Sequence, residues 1–140
     1  MTNAEKKRHL RAYLHLRESE RELLEEIEDI RSKYTGHAIQ YSDMPKAHNS
    51  EHDLSEYMAE AESVLSMLER RRMEVFEAYS IIDSAIQKVA NLRERNVLRY
   101  RYLLGCEWET IADRMGFGLR QVYRIHGDAL AHIDFEGAQV

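Results

Sequence analysis

Gly116 constrains the fold of this chain more than any other residue. It directly follows Trp108, Ile111, Ala112 and Met115, which recur at three- and four-residue intervals, the spacing of one buried helical face. A glycine there suits the left-handed residue that ends a helix, where a side chain would clash with the backbone. Phe117 then plugs the crease between two helices, and Gly118 stands at the N-cap of the next. The core face of that second helix reads Val122, Ile125, His126 or Ala129, Leu130 and Ile133. Arg120, Gln121, Tyr123, Arg124, Gly127 and Asp128 are left outward, and small Ala112 lets the helices approach closely near the turn. Any antiparallel helix pair can show such a pattern. A small crossing residue, a C-cap and a plug at fixed offsets in Ile-Ala-x-x-Met-Gly-Phe favour a helix-turn-helix, whose second helix is presented to the DNA major groove.

The residues around this turn carry a resemblance. Leu98-Arg99-Tyr100-Arg101-Tyr102, Trp108-Glu109-Thr110-Ile111-Ala112, Met115-Gly116-Phe117, Gln121-Val122-Tyr123-Arg124-Ile125-His126 and Ala129-Leu130 fall in one segment, about a quarter of the chain. Leu98 to Ile133 resembles the DNA-binding module of sigma-70 factors, region 4, as found in small phage regulators of late transcription. The upstream long helices with a proline-containing loop are similar to the same phage group. The resemblance implies a transcriptional regulator of phage or prophage late genes, acting in the cytoplasm of a bacterial host. It also implies RNA polymerase as a docking partner. Two positions depart from the family: Cys106 stands in place of its usual serine, and Gly118 in place of the serine or threonine cap. Glycine costs only a few tenths of a kcal/mol as an N-cap relative to serine, so the fold survives while a hydroxyl contact to phosphate is lost.

A net charge of -5 looks wrong for a DNA binder until it is divided by segment. Residues 1–89 hold thirteen basic and eighteen acidic side chains, whereas residues 90–133 hold seven arginines against five acids. The segment is therefore locally positive, and its cations are arginines, which grip phosphates and guanine edges with paired hydrogen bonds. The surplus is small. Electrostatic affinity grows with the number of phosphates neutralised, so a lone module is expected to bind weakly.

The other two thirds of the chain read as long helices. Tyr13, Leu16, Leu23, Ile27, Ile30 and Tyr34 follow a three-four heptad with Glu20 as the polar intruder. Leu54, Tyr57, Ala61, Val64, Leu68, Val75, Ile82, Ile86 and Val89 keep similar spacing. Such stripes pack helices against each other or against a second chain. Between them, residues 35–50 hold Gly36 and the sole proline, Pro45, and break both patterns; Asn49 or Ser50 is the expected cap and Asp53 lies in the first turn. The expected fold is all-α: a long antiparallel helical hairpin over 1–89 with a loop at 35–50, a helix-turn-helix over 90–133, and a tail at 134–140. The hairpin has three readings: a homodimer interface that joins two weak modules and matches two half-sites, an intramolecular pair without a partner, or a polymerase-docking arm.

Other chemistries find little support. His48 and His52 flank Glu51 four residues apart, but no third ligand or HExxH order accompanies them, so a solvated helix start is expected and no metal. Arg70-Arg71-Arg72 point in different directions on a helix and are expected to pair with Glu69, Glu74 and acids of the first helix. Cys106 lacks a matching His-Asp arrangement and reads as a small buried residue; His126 reads as a core residue. No glycine-rich phosphate loop is present, so neither an enzyme nor a cofactor is expected. No apolar run of about 18 residues suggests a membrane span, the first residues lack an apolar signal core, and a single cysteine fits a reducing compartment.

The expected mechanism follows from placement. The Trp108–Met115 helix crosses the DNA backbone and the helix starting near Leu119 enters the major groove. Arg120, Gln121 and Arg124 are the candidates for base edges, arginine suiting guanine and glutamine adenine. Tyr123, Arg101 and Arg114 are the candidates for phosphates. The alternative is a protein-interaction module that contacts RNA polymerase or a sigma factor without binding DNA.

Overall fold

The computed structural model describes residues 1–40 and 50–135, and among them the protein is all-α, with no strand. The helices are α1 (Asn3–Gln40), α2 (Ser50–Gln87), α3 (Leu92–Leu98), α4 (Trp108–Met115) and α5 (Leu119–His132), with a π-helical turn at Arg99–Leu103. No helix among the described residues is long and apolar enough to cross a membrane.

The chain starts α1 with a reciprocal cap. The amide of Glu5 donates to Thr2 Oγ1 at 3.3 Å and the Thr2 amide to Glu5 Oε2 at 2.7 Å, satisfying donors that a helix start leaves free. The Thr2 amide, with the Thr2 hydroxyl beside it, holds the Glu5 carboxyl below its ordinary pKa. α1 runs through Gly36 to Gln40, so the expected break at residue 35 comes later. One glycine costs a helix only about 1 kcal/mol, too little to end it. Pro45, His48 and Asn49 lie outside the described residues, as do the side chain of His52 and the expected cap of α2.

Packing divides the chain into Met1–Arg17 with Val75–Val140, and Glu18–Glu74. This division does not fall at the expected 89/90 boundary. The start of α1 and the end of α2 share one core with the later helices: Leu10, Tyr13, Ile82, Ala85, Ile86 and Val89 are buried with Leu98, Tyr102, Leu103, Ala129, Leu130 and Ile133. Of the expected tail at 134–140, only Asp134 and Phe135 are described. Phe135 is buried in this core and its ring stacks on His9 at 5.5 Å; residues 136–140 lie outside the description. Lys6 reaches from α1 to the end of α5, where its Nζ donates to the Leu130 carbonyl at 2.7 Å. That bond satisfies a carbonyl the helix itself leaves open.

In Glu18–Glu74, the seam between α1 and α2 is Leu23, Val64 and Leu68, with Ile27 and Ile30 packed against it. Glu20 lies 3.9 Å from Arg72 and the Tyr34 ring 4.9 Å from that of Tyr57, so the contacts pair in opposite sequence order. Arg71 bonds Glu74 at 3.2 Å. Arg71 and Arg72 thus pair with acids of α2 and of α1 respectively. Leu54 departs from expectation: instead of joining the seam it is exposed.

Candidate nucleic-acid interface

The scaffold of the candidate site begins at Asn91. Its side chain accepts from the amides of Arg93 and Glu94 at 2.9 and 3.2 Å and starts α3. Glu94, in the first turn, is buried and spends its carboxylate on His132, whose Nδ1 lies 2.9 Å from both oxygens. A buried carboxylate without such a partner would be costly. The contact joins the start of α3 to the end of α5.

After Leu98 the helix loosens by one residue per turn. The Leu104 amide bonds the Arg99 carbonyl at 3.0 Å and the Cys106 amide that of Tyr100 at 2.8 Å. This π turn sends Tyr102 and Leu103 into the main core, while Tyr100 packs on a second cluster formed by Val97, Ile111, Ala112 and Val122. Gly105, at φ 69°, reverses the chain into α4.

α4 ends as its sequence anticipates. Gly116 is left-handed, φ 71° and ψ 31°, and its amide reaches back to the Asp113 carbonyl at 3.3 Å. The Phe117 amide bonds the Ala112 carbonyl at 3.0 Å, closing the last turn. Phe117, Trp108, Met115 and Ile125 pack on the second cluster. Gly118 caps α5 in an extended conformation with no side-chain bond. Along α5, Val122, His126, Ala129 and Leu130 face inward, and Ile133 is buried beyond it.

The outward face follows from that inward one. Arg120, Gln121, Tyr123 and Arg124 are all exposed, with Gly127 and Asp128 beyond them. Arg120 and Arg124 sit one turn apart on the same side. Tyr123 leans its ring edge-on against Trp108 at 5.2 Å, which holds it at the margin of that face. Arg114 is exposed on α4 with its guanidinium 5.6 Å from the Tyr100 ring. Arg101 stands apart. It is half-buried, donates to the Cys106 carbonyl at 3.0 Å and lies 4.5 Å over Trp108. One of its nitrogens thus holds the loop before α4.

Two features of the site were missed from sequence. Arg93 lies 5.1 Å over the Phe117 ring and adds a cation beside the turn; residues 93 and 117 are too far apart in sequence for any local pattern to pair them. The buried Tyr102 hydroxyl meets His126 Nε2 at 2.7 Å. The start of α3 was readable, since an asparagine followed three residues later by glutamate is a helix-start signature.

Among the described residues no group of three potential ligands is placed to hold a metal ion. No protein-family model, curated protein or solved structure matches the chain.

Proposed function

We propose that this protein is a sequence-specific DNA-binding transcriptional regulator in which α4, the Gly116 turn and α5 act as a helix-turn-helix, carried on the hairpin of α1 and α2. The observation that carries the reading is the uncovered face of α5, where Arg120, Gln121 and Arg124 stand together in solvent. These side chains present the paired donors and acceptors that base edges accept in the major groove. Arg114, and Arg93 beside the turn, supply cations for phosphates. The segment's positive balance gives the non-specific attraction on which such reading rests. The likeness of Leu98–Ile133 to sigma-70 region 4 supports the transcriptional part, and with it late genes of phage or prophage in a bacterial cytoplasm.

Gly127 adds support of a different kind. A Cβ built there meets nothing within 4 Å among the described residues, so none of them requires a glycine in the middle of α5. Its cost of about 1 kcal/mol relative to alanine has no return among the described residues, while a bare helix surface suits the close approach of a duplex.

Fluorescence anisotropy of labelled duplex, titrated with the full chain at two salt concentrations, tests the proposal. Binding that falls steeply with salt is expected, because phosphates release counterions on binding. Selection from a random duplex pool then yields the site. Absence of any salt-dependent binding would end the DNA reading and assign the α5 face to a protein such as RNA polymerase.

A further inference from the structure

Charge along α1 changes sign where its packing changes. Residues 1–17 hold Lys6, Lys7, Arg8, Arg11 and Arg17 against Glu5 alone, whereas residues 18–29 hold seven acids and one arginine. The break falls between Arg17 and Glu18, the division between the two packing units. Met1–Arg17 with Val75–Val140 therefore carries thirteen basic and ten acidic side chains, and Glu18–Glu74 seven and fifteen. Without the start of α1, the first of these would hold eight against nine. Its positive balance thus comes from α1, and a cluster of cations on one unit is the footprint of a polyanion.

Some of these cations are engaged. Lys6 holds the Leu130 carbonyl, Arg8 acts on the Glu5 carboxyl, and Arg17 lies 5.8 Å from the Tyr13 ring. Lys7 and Arg11 pair with no carboxylate among the described residues. With Leu14 they line one side of α1 at intervals of four and three residues. Leu14 lies 3.5 Å from a Cβ built at Gly105, in the loop before α4. The charges of Lys7, Arg11 and Arg101 all bear on the buried His126 imidazole, and those of Arg11 and Arg101 on Tyr102. Around α5, His126, Leu130, Tyr123, Gly127 and Arg120 follow one another over about a third of a turn. The basic side of α1 therefore continues, past Tyr123 and bare Gly127, into the outward face of α5.

We propose that the side of α1 bearing Lys7 and Arg11 binds phosphates of duplex DNA, extending the surface of α5 onto the flanking backbone. The proposal rests on the function proposed above and adds a second element to its interface. Continuity with the α5 face favours a duplex. So does the character of the side chains. The large apolar residues here, Leu10 and Tyr13, are buried, and Arg8, His9, Arg11 and His15 are exposed. A membrane surface takes apolar side chains together with cations, and a docked peptide takes apolar anchors. A line of cations alone suits regularly spaced phosphates. Two more phosphate contacts also offset the small positive surplus of residues 90–133, since electrostatic affinity grows with the number neutralised.

Anisotropy of labelled duplex with the full chain over a series of salt concentrations is the test, with circular dichroism to verify folding. Lys7→Gln with Arg11→Gln should weaken random and selected duplexes alike, about tenfold near physiological salt, and lower the salt slope by about two. Arg11→Gln alone, at an exposed position, should lower it by about one. Arg21→Gln with Arg31→Gln makes the same charge change within Glu18–Glu74 and should keep the wild-type slope. A wild-type slope in the Lys7 and Arg11 pair, or an equal fall in the Arg21 and Arg31 pair, overturns the proposal. The two ideas fail separately. If Arg120→Ala relaxes base preference while the Lys7 and Arg11 pair changes nothing, the α1 surface alone falls. If binding needs Lys7 and Arg11 but selection yields no preferred site, the sequence-reading regulator alone falls. A chain that ignores duplex and binds vesicles of anionic lipid through Lys7 and Arg11 overturns both.

Discussion

The Tyr102 hydroxyl and Nε2 of His126 lie 2.7 Å apart in the buried space between the π turn and α5. The edge of Trp108 closes on the same imidazole at 4.7 Å. Burial, followed by the positive charges of Lys7, Arg101 and Arg11, lowers the His126 pKa to about 4. Burial also raises that of Tyr102. Both groups are therefore neutral near pH 7, and with the imidazole proton on Nδ1 the hydroxyl donates to Nε2. The bond pins the inner face of α5 to the preceding turn, and so sets how Arg120 and Arg124 are presented outside.

Acid should loosen this joint. An unfolded histidine takes up its proton near 6.5, whereas the folded one waits until about 4. Between those values the unfolded state binds more protons, so stability is complete above the window and falls as pH drops through it. The whole shift corresponds to about 3 kcal/mol. Melting curves at neutral pH and near the lower end of the window should separate wild type from His126→Gln, the variant losing less. Tyr102→Phe keeps the imidazole buried and should cost about 1 kcal/mol at neutral pH by removing its partner. Equal acid losses in wild type and His126→Gln would refute this account.

The two glycines flanking Phe117 should respond in opposite directions. Gly116 sits at φ 71° with nothing within 4 Å of an added Cβ, so Gly116→Ala suffers from backbone conformation alone, by about 1–2 kcal/mol. Gly118 is extended and caps α5 without a side chain. Gly118→Ser supplies a hydroxyl for a free amide and should gain a few tenths of a kcal/mol. Chemical denaturation of the two variants decides it. A neutral Gly116→Ala would mean that the turn adjusts.

How far the sequence reveals this fold depends on how local the determinant is. Gly116, Phe117 and the Val122–Ile133 face were legible because helical spacing and a left-handed cap are fixed within a few residues. The apolar stripes of α1 and α2 were legible for the same reason. Phe135 and Lys6 were not, because their value lies in meeting residues more than a hundred positions away. Arg101 shows a subtler limit. Its residue type suits phosphate, and only the position of the Cys106 carbonyl and the Trp108 ring reveals that the guanidinium is already engaged. Leu54 kept the heptad spacing but lies off the seam, since spacing alone cannot say which helix will cover a stripe.

The arginines should therefore separate into three behaviours. Arg120→Ala is expected to relax base preference on a selected site, a good bidentate contact contributing roughly 1–3 kcal/mol of discrimination. Arg114→Ala should weaken all duplexes alike and reduce the salt slope by about one phosphate. Arg101→Ala should act first on stability, losing about 1–2 kcal/mol with its bond to Cys106 and its stacking on Trp108. Anisotropy on selected and random duplexes, beside melting curves, distinguishes them. If Arg101→Ala left the fold unchanged and lowered binding to every duplex, Arg101 would return to the phosphate contacts.

Gly127→Ala offers the sharpest separation of fold from function. Residue 127 shares the exposed side of α5 with Arg120 and Arg124, and an alanine methyl there finds open space. Helix propensity then predicts a gain of about 0.5–1 kcal/mol. A surface that lies against a duplex would feel the same methyl as an obstruction, so DNA affinity should fall while the melting temperature rises. Most substitutions weaken fold and binding together, which makes opposite signs hard to obtain by accident. A stabilised variant that binds a selected site as tightly as wild type would remove the argument that α5 is kept bare for its partner.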